Sequence, residues 1–188
     1  AIKSIRGDIE EAGADKLAAK ALGIAGIKLD KEGVSPVLMF FSAAQAEALA
    51  RLAISESKDK KEYQKALKAS PSVDMALFGR MVAADASLNF DAAAQVAHAI
   101  STHAVHNEYD YFTAVDDLNQ EEESGAGHLG TVEFNSSTLY RYATVNVAEL
   151  SKSLGNRTDK AVKCFAETFI KAMPTGKQNT FANRTLPD

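Results

Sequence analysis

Apolar positions near the start of the chain recur at helical spacing. Across residues 4–21, Ile5, Ile9, Leu17 and Ala21 stand close to a 3.6-residue period that Gly7 and Gly13 interrupt, which predicts a broken helix. Glycines then dominate as far as Gly33. The pattern becomes continuous at 34–41, where Val37, Leu38, Met39, Phe40 and Phe41 form an apolar run of strand length, suited to burial on both faces. Ser42 precedes Gln45 by three residues, a spacing at which hydroxyl and amide satisfy backbone donors at a helix start. Leu49, Leu52 and Ala53 continue that helix, and another is predicted over 58–68. From residue 73, Val73, Met75 and Leu77 alternate with Asp74, Ala76 and Phe78, as a half-buried strand would, ending at Gly79, Arg80 and Met81. Asp91 then has the character of an N-cap for an alanine-rich helix reaching about Thr102.

Residues 105–131 are polar, with Tyr109, Tyr111 and Phe112 at the start, acids in the middle, and Gly125, Gly127 and Gly130 near the end. They predict a long protruding loop or hairpin. Strand character returns over 131–147 in Phe134, Leu139, Tyr140, Tyr142, Val145 and Val147, before a helix start near Ala148. A last helix over about 159–173 carries Val162, Phe165, Phe169 and Met173 on one face and stops at Pro174. Strand, helix, long hairpin, strand, helix is the order of an interrupted ferredoxin-like unit in an α+β fold. No internal repeat is present.

The 188 residues suffice for one substantial domain, or one domain with a sizeable insertion. No apolar run approaches the roughly 20 residues that cross a bilayer, and the first residues lack the shape of a secretory signal. A cytoplasmic protein with no membrane partner is expected. The start without Met and the end after a loop-like stretch are read as the edges of a fragment. Cys164, the single cysteine, lies among Val162, Phe165 and Phe169 and is expected to be a small core residue. The net charge of -4 argues against indiscriminate nucleic-acid binding, so any contact with phosphate must be local.

Candidate chemistry is sparse. His98, His103, His106 and His128 accompany Asp110, Asp116 and Asp117, but no HExxH pair or paired cysteines supply metal-ligand spacing. No nucleophile elbow, Walker loop or dinucleotide fingerprint appears. No catalytic residue, metal or cofactor is expected. Lys58, Lys60, Lys61, Lys65 and Lys68, set against Asp59 and Glu62, form either a solvated helix face or a nonspecific phosphate contact. Tyr109, Tyr111 and Phe112 have the side chains that stack on single-stranded bases, and equally those that anchor the base of a loop in a core.

Six ordered motifs go further: VDMALFGRM at 73–81, AHAISTH at 97–103, DYFTAVDDL at 110–118, GHLG at 127–130, Glu133-Phe134, and YRYATVN at 140–146. Together they resemble the CasC (CT1975-like) family, the backbone subunit of the type I-E CRISPR Cascade complex. The resemblance is strong over 73–181, including Gly176-Lys177-Gln178 and Thr180-Phe181-Ala182, and loose before residue 73. It implies an RRM-like (ferredoxin-like) palm, incomplete in this fragment, with a helical fingers insertion and a long thumb hairpin. The helical fingers region, with its short apolar strand, then covers 1–70. The palm covers 71–188, interrupted by the thumb at about 105–131.

The resemblance also implies partners: crRNA, target DNA through the guide, further copies head to tail, and other Cascade subunits that cap the array. By position, Arg80 and Met81 match the palm motif beside the guide. Leu129, with His128 beside it, matches the thumb near a displaced base, and Phe112 and Thr113 match the thumb beside the guide–target duplex. Lys177 and Gln178 match a guide-contacting loop. Lys58, Lys60, Lys61 and Lys65 correspond only as a cluster, not residue by residue, to a basic finger surface that touches target DNA. The family's first palm strand and the following basic helix would lie upstream of Ala1, and its completing strand beyond Asp188. The rival functions are a protein-interaction module that binds no RNA and, behind it, a metal-dependent nuclease.

Overall fold

A computed structural model of the chain describes residues 1–83, 85–114, 128–182, 184 and 186, with the side chain of His128 outside that description. The chain divides into two compact units, residues 1–95 with 144–188, and residues 96–143.

The larger unit opens with α1 (Ile2–Ile5) and α2 (Glu11–Ala25), so the predicted break falls between them while Gly13 sits inside α2. Gly26, at φ +94°, closes α2 in the left-handed conformation that costs glycine nothing. α3 (Ala43–Ile54) begins with both halves of the expected capping box. The Ser42 hydroxyl accepts from the Gln45 N–H at 3.0 Å, and Gln45 Oε1 accepts from the Ser42 N–H at 3.2 Å. α4 (Lys60–Lys68) is capped by Asp59, whose carboxylate accepts from the Lys61 N–H. These four helices bury Ala21, Ala25, Leu49, Ala50, Tyr63 and Leu67 in one core, which Val82 and Leu88 complete. Each large apolar side chain removed from water there contributes about 1.5–3 kcal/mol.

A second core in the same unit joins Ala76 and Leu77 of α5 (Val73–Phe78) to Leu150 and Leu154 of α6 (Val147–Leu154) and Ala161 of α7 (Thr158–Lys171). Val162, Phe165, Phe169 and Met173 form the expected half-buried stripe along and just beyond α7. Cys164 is exposed, contrary to the core position expected for it. It is two residues from Val162, about 200° around the helix, and so points away from the stripe.

Three further expectations are corrected. The run at 34–41 bends at Pro36 and Val37 and forms no strand, and Val34, Val37, Leu38 and Phe40 are exposed while Met39 packs on the core. A strand needs a partner ladder, and Pro36 lacks a donor for one. Residues 73–78 form a helix, not a strand. Six residues are too few to separate the two periods, and the helix buries the consecutive Met75, Ala76 and Leu77. Residues 91–102 form no helix but two short strands, β1 (Ala94–Val96) and β2 (Ile100–Ser101). The Ala93 N–H donates to the Ala76 carbonyl at 3.2 Å and the Ala97 N–H to the Tyr142 carbonyl at 2.9 Å, so non-local bonds override alanine's helix propensity.

The chain passes into the smaller unit along β1 and returns along β6 (Ala143–Val145), and these two strands pair. Within that unit β2 pairs with β5 (Leu139–Tyr140), and β3 (Glu108–Ala114) pairs antiparallel with β4 (His128–Phe134). The hairpin expected over 105–131 is therefore present as a ladder. Its middle, with Asp116, Asp117, Gly125 and Gly127, lies outside the described residues. The fold is α+β, with three two-stranded sheets among the described residues. No helix among them is long and apolar enough to cross a membrane.

Candidate nucleic-acid interface

The β3–β4 ribbon is built from residues that favour strands: Tyr109, Tyr111, Phe112 and Thr113 on one side, Thr131, Val132 and Phe134 on the other. Its register sorts the candidate residues by face. Tyr109 lies opposite Glu133, Tyr111 opposite Thr131, and Thr113 opposite Leu129. Because side chains alternate along a strand, these six share one face. The other face holds Glu108 opposite Phe134, Asp110 opposite Val132, Phe112 opposite Gly130, and Ala114. Thr113 and Leu129 are thus brought together as cross-strand partners, and Phe112 is turned to the reverse side.

Phe112 has a local task there. A Cβ on Gly130 would lie 2.7 Å from one of its ring carbons, so the ring covers the glycine, the arrangement by which an aromatic residue rescues a weak strand position. On the first face, Tyr109, Tyr111 and Leu129 are 65%, 77% and 64% exposed. The two tyrosines belong to the same surface as Thr113 and Leu129, although position-by-position matching does not single them out. The signal was in the chain as the period-2 spacing of residues 109, 111 and 113.

Arg80 lies elsewhere and does something other than expected. It is only 4% exposed. Its Nη1 donates to the Phe40 carbonyl at 3.1 Å and to Gln45 Oε1 at 3.2 Å. Nη2 donates to the Leu67 carbonyl at 2.9 Å and the Leu88 carbonyl at 2.7 Å, which also accepts from Nε at 3.2 Å. The guanidinium sits 4.9 Å over the Phe90 ring. Desolvation lowers its pKa from the ordinary value, and the ring of acceptors compensates the buried charge. A guanidinium so enclosed cannot reach a phosphate, so the guide-contacting role expected of Arg80 is corrected to a structural one. Met81, the next residue, is 79% exposed, and the two do not share an open face.

Lys58, Lys60, Lys61 and Lys65 are exposed, with Lys58 preceding α4 and the others lying on it, as Tyr63 and Leu67 turn inward. Lys177 is exposed at φ +59° in the turn over 176–182, and Gln178 is half-buried, its N–H donating to the Thr175 carbonyl at 3.3 Å. His103 is committed to the backbone, with Nδ1 2.9 Å from the Ala104 carbonyl and Nε2 accepting from the Thr138 N–H at 3.2 Å. A proton on Nδ1 satisfies both contacts. Among the described residues, no group of three or more His, Cys, Asp or Glu could hold a metal ion.

The chain aligns with the CT1975-like protein family over residues 2–188. It belongs to that family. The alignment extends through the first 72 residues, where the motifs alone give only a loose resemblance. Among solved structures, one described as a "CRISPR RNA-guided surveillance complex, pre-nicking" contains a similar chain at 33% identity and TM-score 0.79. That match covers 100% of this CT1975-like chain and 58% of the other. Another, described as a "CRISPR RNA-guided surveillance complex", is 38% identical at TM-score 0.55 over 78% of this chain and 50% of that one. The matches thus span 50% to 58% of the length of these relatives. A comparison with curated protein sequences finds no match.

Proposed function

We propose that this chain acts as a non-catalytic, crRNA-binding backbone subunit of a Cascade-type surveillance complex in antiviral defence. The observation that carries the reading is the similarity of the whole chain, at 33% identity and TM-score 0.79, to a chain of a complex described as RNA-guided. In this reading the protein works in the cytoplasm, an RRM-like palm holds the guide, and the β3–β4 ribbon is the thumb. Copies join head to tail along the RNA. A contact of that heterologous kind makes an open filament, so other Cascade subunits must cap its ends. Target DNA is met through pairing with the guide.

The residues available for this work are those with reachable side chains. Leu129 and Thr113, paired on the exposed ribbon face, serve beside a displaced base, where an apolar side chain can replace lost stacking. Met81, the last residue of the palm motif, is exposed. Lys177 and Gln178 contact the guide, and Lys58, Lys60, Lys61 and Lys65 offer cations to the DNA backbone. Phe112 supports the thumb through Gly130.

Titration of the purified protein with labelled crRNA, with and without divalent metal, tests the proposal. It predicts saturable binding across unrelated guide sequences, an affinity that falls with salt, and RNA recovered intact. RNA cleaved on adding metal would favour a nuclease, and no binding at low salt would refute the reading.

A further inference from the structure

The ribbon face that carries Thr113 and Leu129 is larger than those two residues. We infer that Tyr109 and Tyr111, together with Leu129, form a stacking platform for unpaired nucleobases of the guide, an assignment that rests on the guide-binding reading above. The register places all three on one face, and the two tyrosines are among the most exposed large hydrophobic residues described. Residues two apart on a strand are separated by about 6.8 Å, twice the rise per residue. That gap is about two aromatic thicknesses, judged by the roughly 3.4 Å between stacked bases, so it admits one flat base between two rings.

Among the described residues of the ribbon, charge is segregated to suit a polyanion. Glu108 and Asp110 lie on the reverse face. Among the described residues the platform face has a single carboxylate, Glu133, at the Tyr109 end, where it accepts from Asn107 at 3.4 Å. Beyond it, Tyr111, Thr113, Leu129 and Thr131 make a neutral surface of ring, methyl and hydroxyl groups. Hydroxyls beside rings suit a base, whose edge needs hydrogen-bond partners while its face is covered. With no cation among its described residues, this face contributes stacking and leaves the salt dependence of binding to the lysines.

The test compares Tyr109→Leu, Tyr111→Leu, the double variant and Tyr111→Phe with the parent protein, titrating each with fluorescent single-stranded guide RNA at several salt concentrations. Leucine keeps strand character at exposed positions, so the fold should survive, and circular dichroism of each variant checks this. The platform predicts that each leucine weakens binding roughly five- to a hundredfold, with the slope of log affinity against log salt unchanged. Tyr111→Phe should bind nearly as the parent does. Parent-like affinity in the double variant overturns the platform and leaves guide binding standing. Parent-like affinity with impaired joining of copies also overturns it, because the face would then be a protein contact. Weakened binding with a shallower salt slope counts against it as well. A parent that ignores guide RNA removes the guide-binding reading and the platform with it.

Discussion

Arg80 shows how far a side chain's identity can mislead about its role. An arginine beside an exposed methionine looks like a phosphate ligand, yet its donors meet carbonyls contributed by Phe40, Leu67 and Leu88 and the amide oxygen of Gln45. Arg80→Ala should therefore cost about 3 kcal/mol or more in urea denaturation, because it leaves several buried acceptors unpaired. Arg80→Lys should recover little of that, since one ammonium cannot reproduce a planar fork of donors. The salt slope of RNA binding should not change in variants that remain folded. Tyr63 supplies a test of pH dependence. Burial, and secondarily Glu62, raise its pKa above the ordinary value of 10.0. The folded chain thus keeps a proton that the unfolded chain releases. The resulting stabilisation is full below about pH 10 and is lost as pH climbs through the raised folded value. Tyr63→Phe should flatten the alkaline fall in stability. It also removes the hydrogen bond to the Ser57 carbonyl, at a cost of about 1 kcal/mol at neutral pH.

Elements whose signals are local could be read from the chain, and those settled by distant partners could not. The capping box of Ser42 and Gln45 was visible because both groups act within one turn. Ser42→Ala should lower thermal stability by about 1 kcal/mol or more, since the hydroxyl also donates to the Ser70 carbonyl at 2.7 Å. The ribbon was visible because aromatic and β-branched residues flank a glycine-containing stretch. Its division into faces required the register, which no spacing within one strand supplies. Gly130→Val should push the Phe112 ring aside and speed amide exchange in β3 and β4 while leaving α3 and α4 protected. The strand expected at 73–78 and the helix expected at 91–102 failed for a shared reason. Their conformations depend on contacts with Leu150, Leu154, Asn146 and Tyr142, each more than 40 residues along the chain from the residue it meets, and propensity carries no information about such contacts.

For the whole molecule, the family was legible in six short motifs, and the alignment over 2–188 bears it out. The motifs could not reveal which matched residues are reachable. Thr113, Leu129 and Met81 are exposed and Arg80 is not, which moves the candidate interface toward the ribbon. In the proposed function, several copies of this protein coat one guide RNA without cutting it. Native mass spectrometry of the protein mixed with guides of increasing length tests it most directly. The number of copies per RNA should rise with guide length, and every RNA should keep its full mass. A single copy at every length, free RNA beside free protein, or shortened RNA would contradict it.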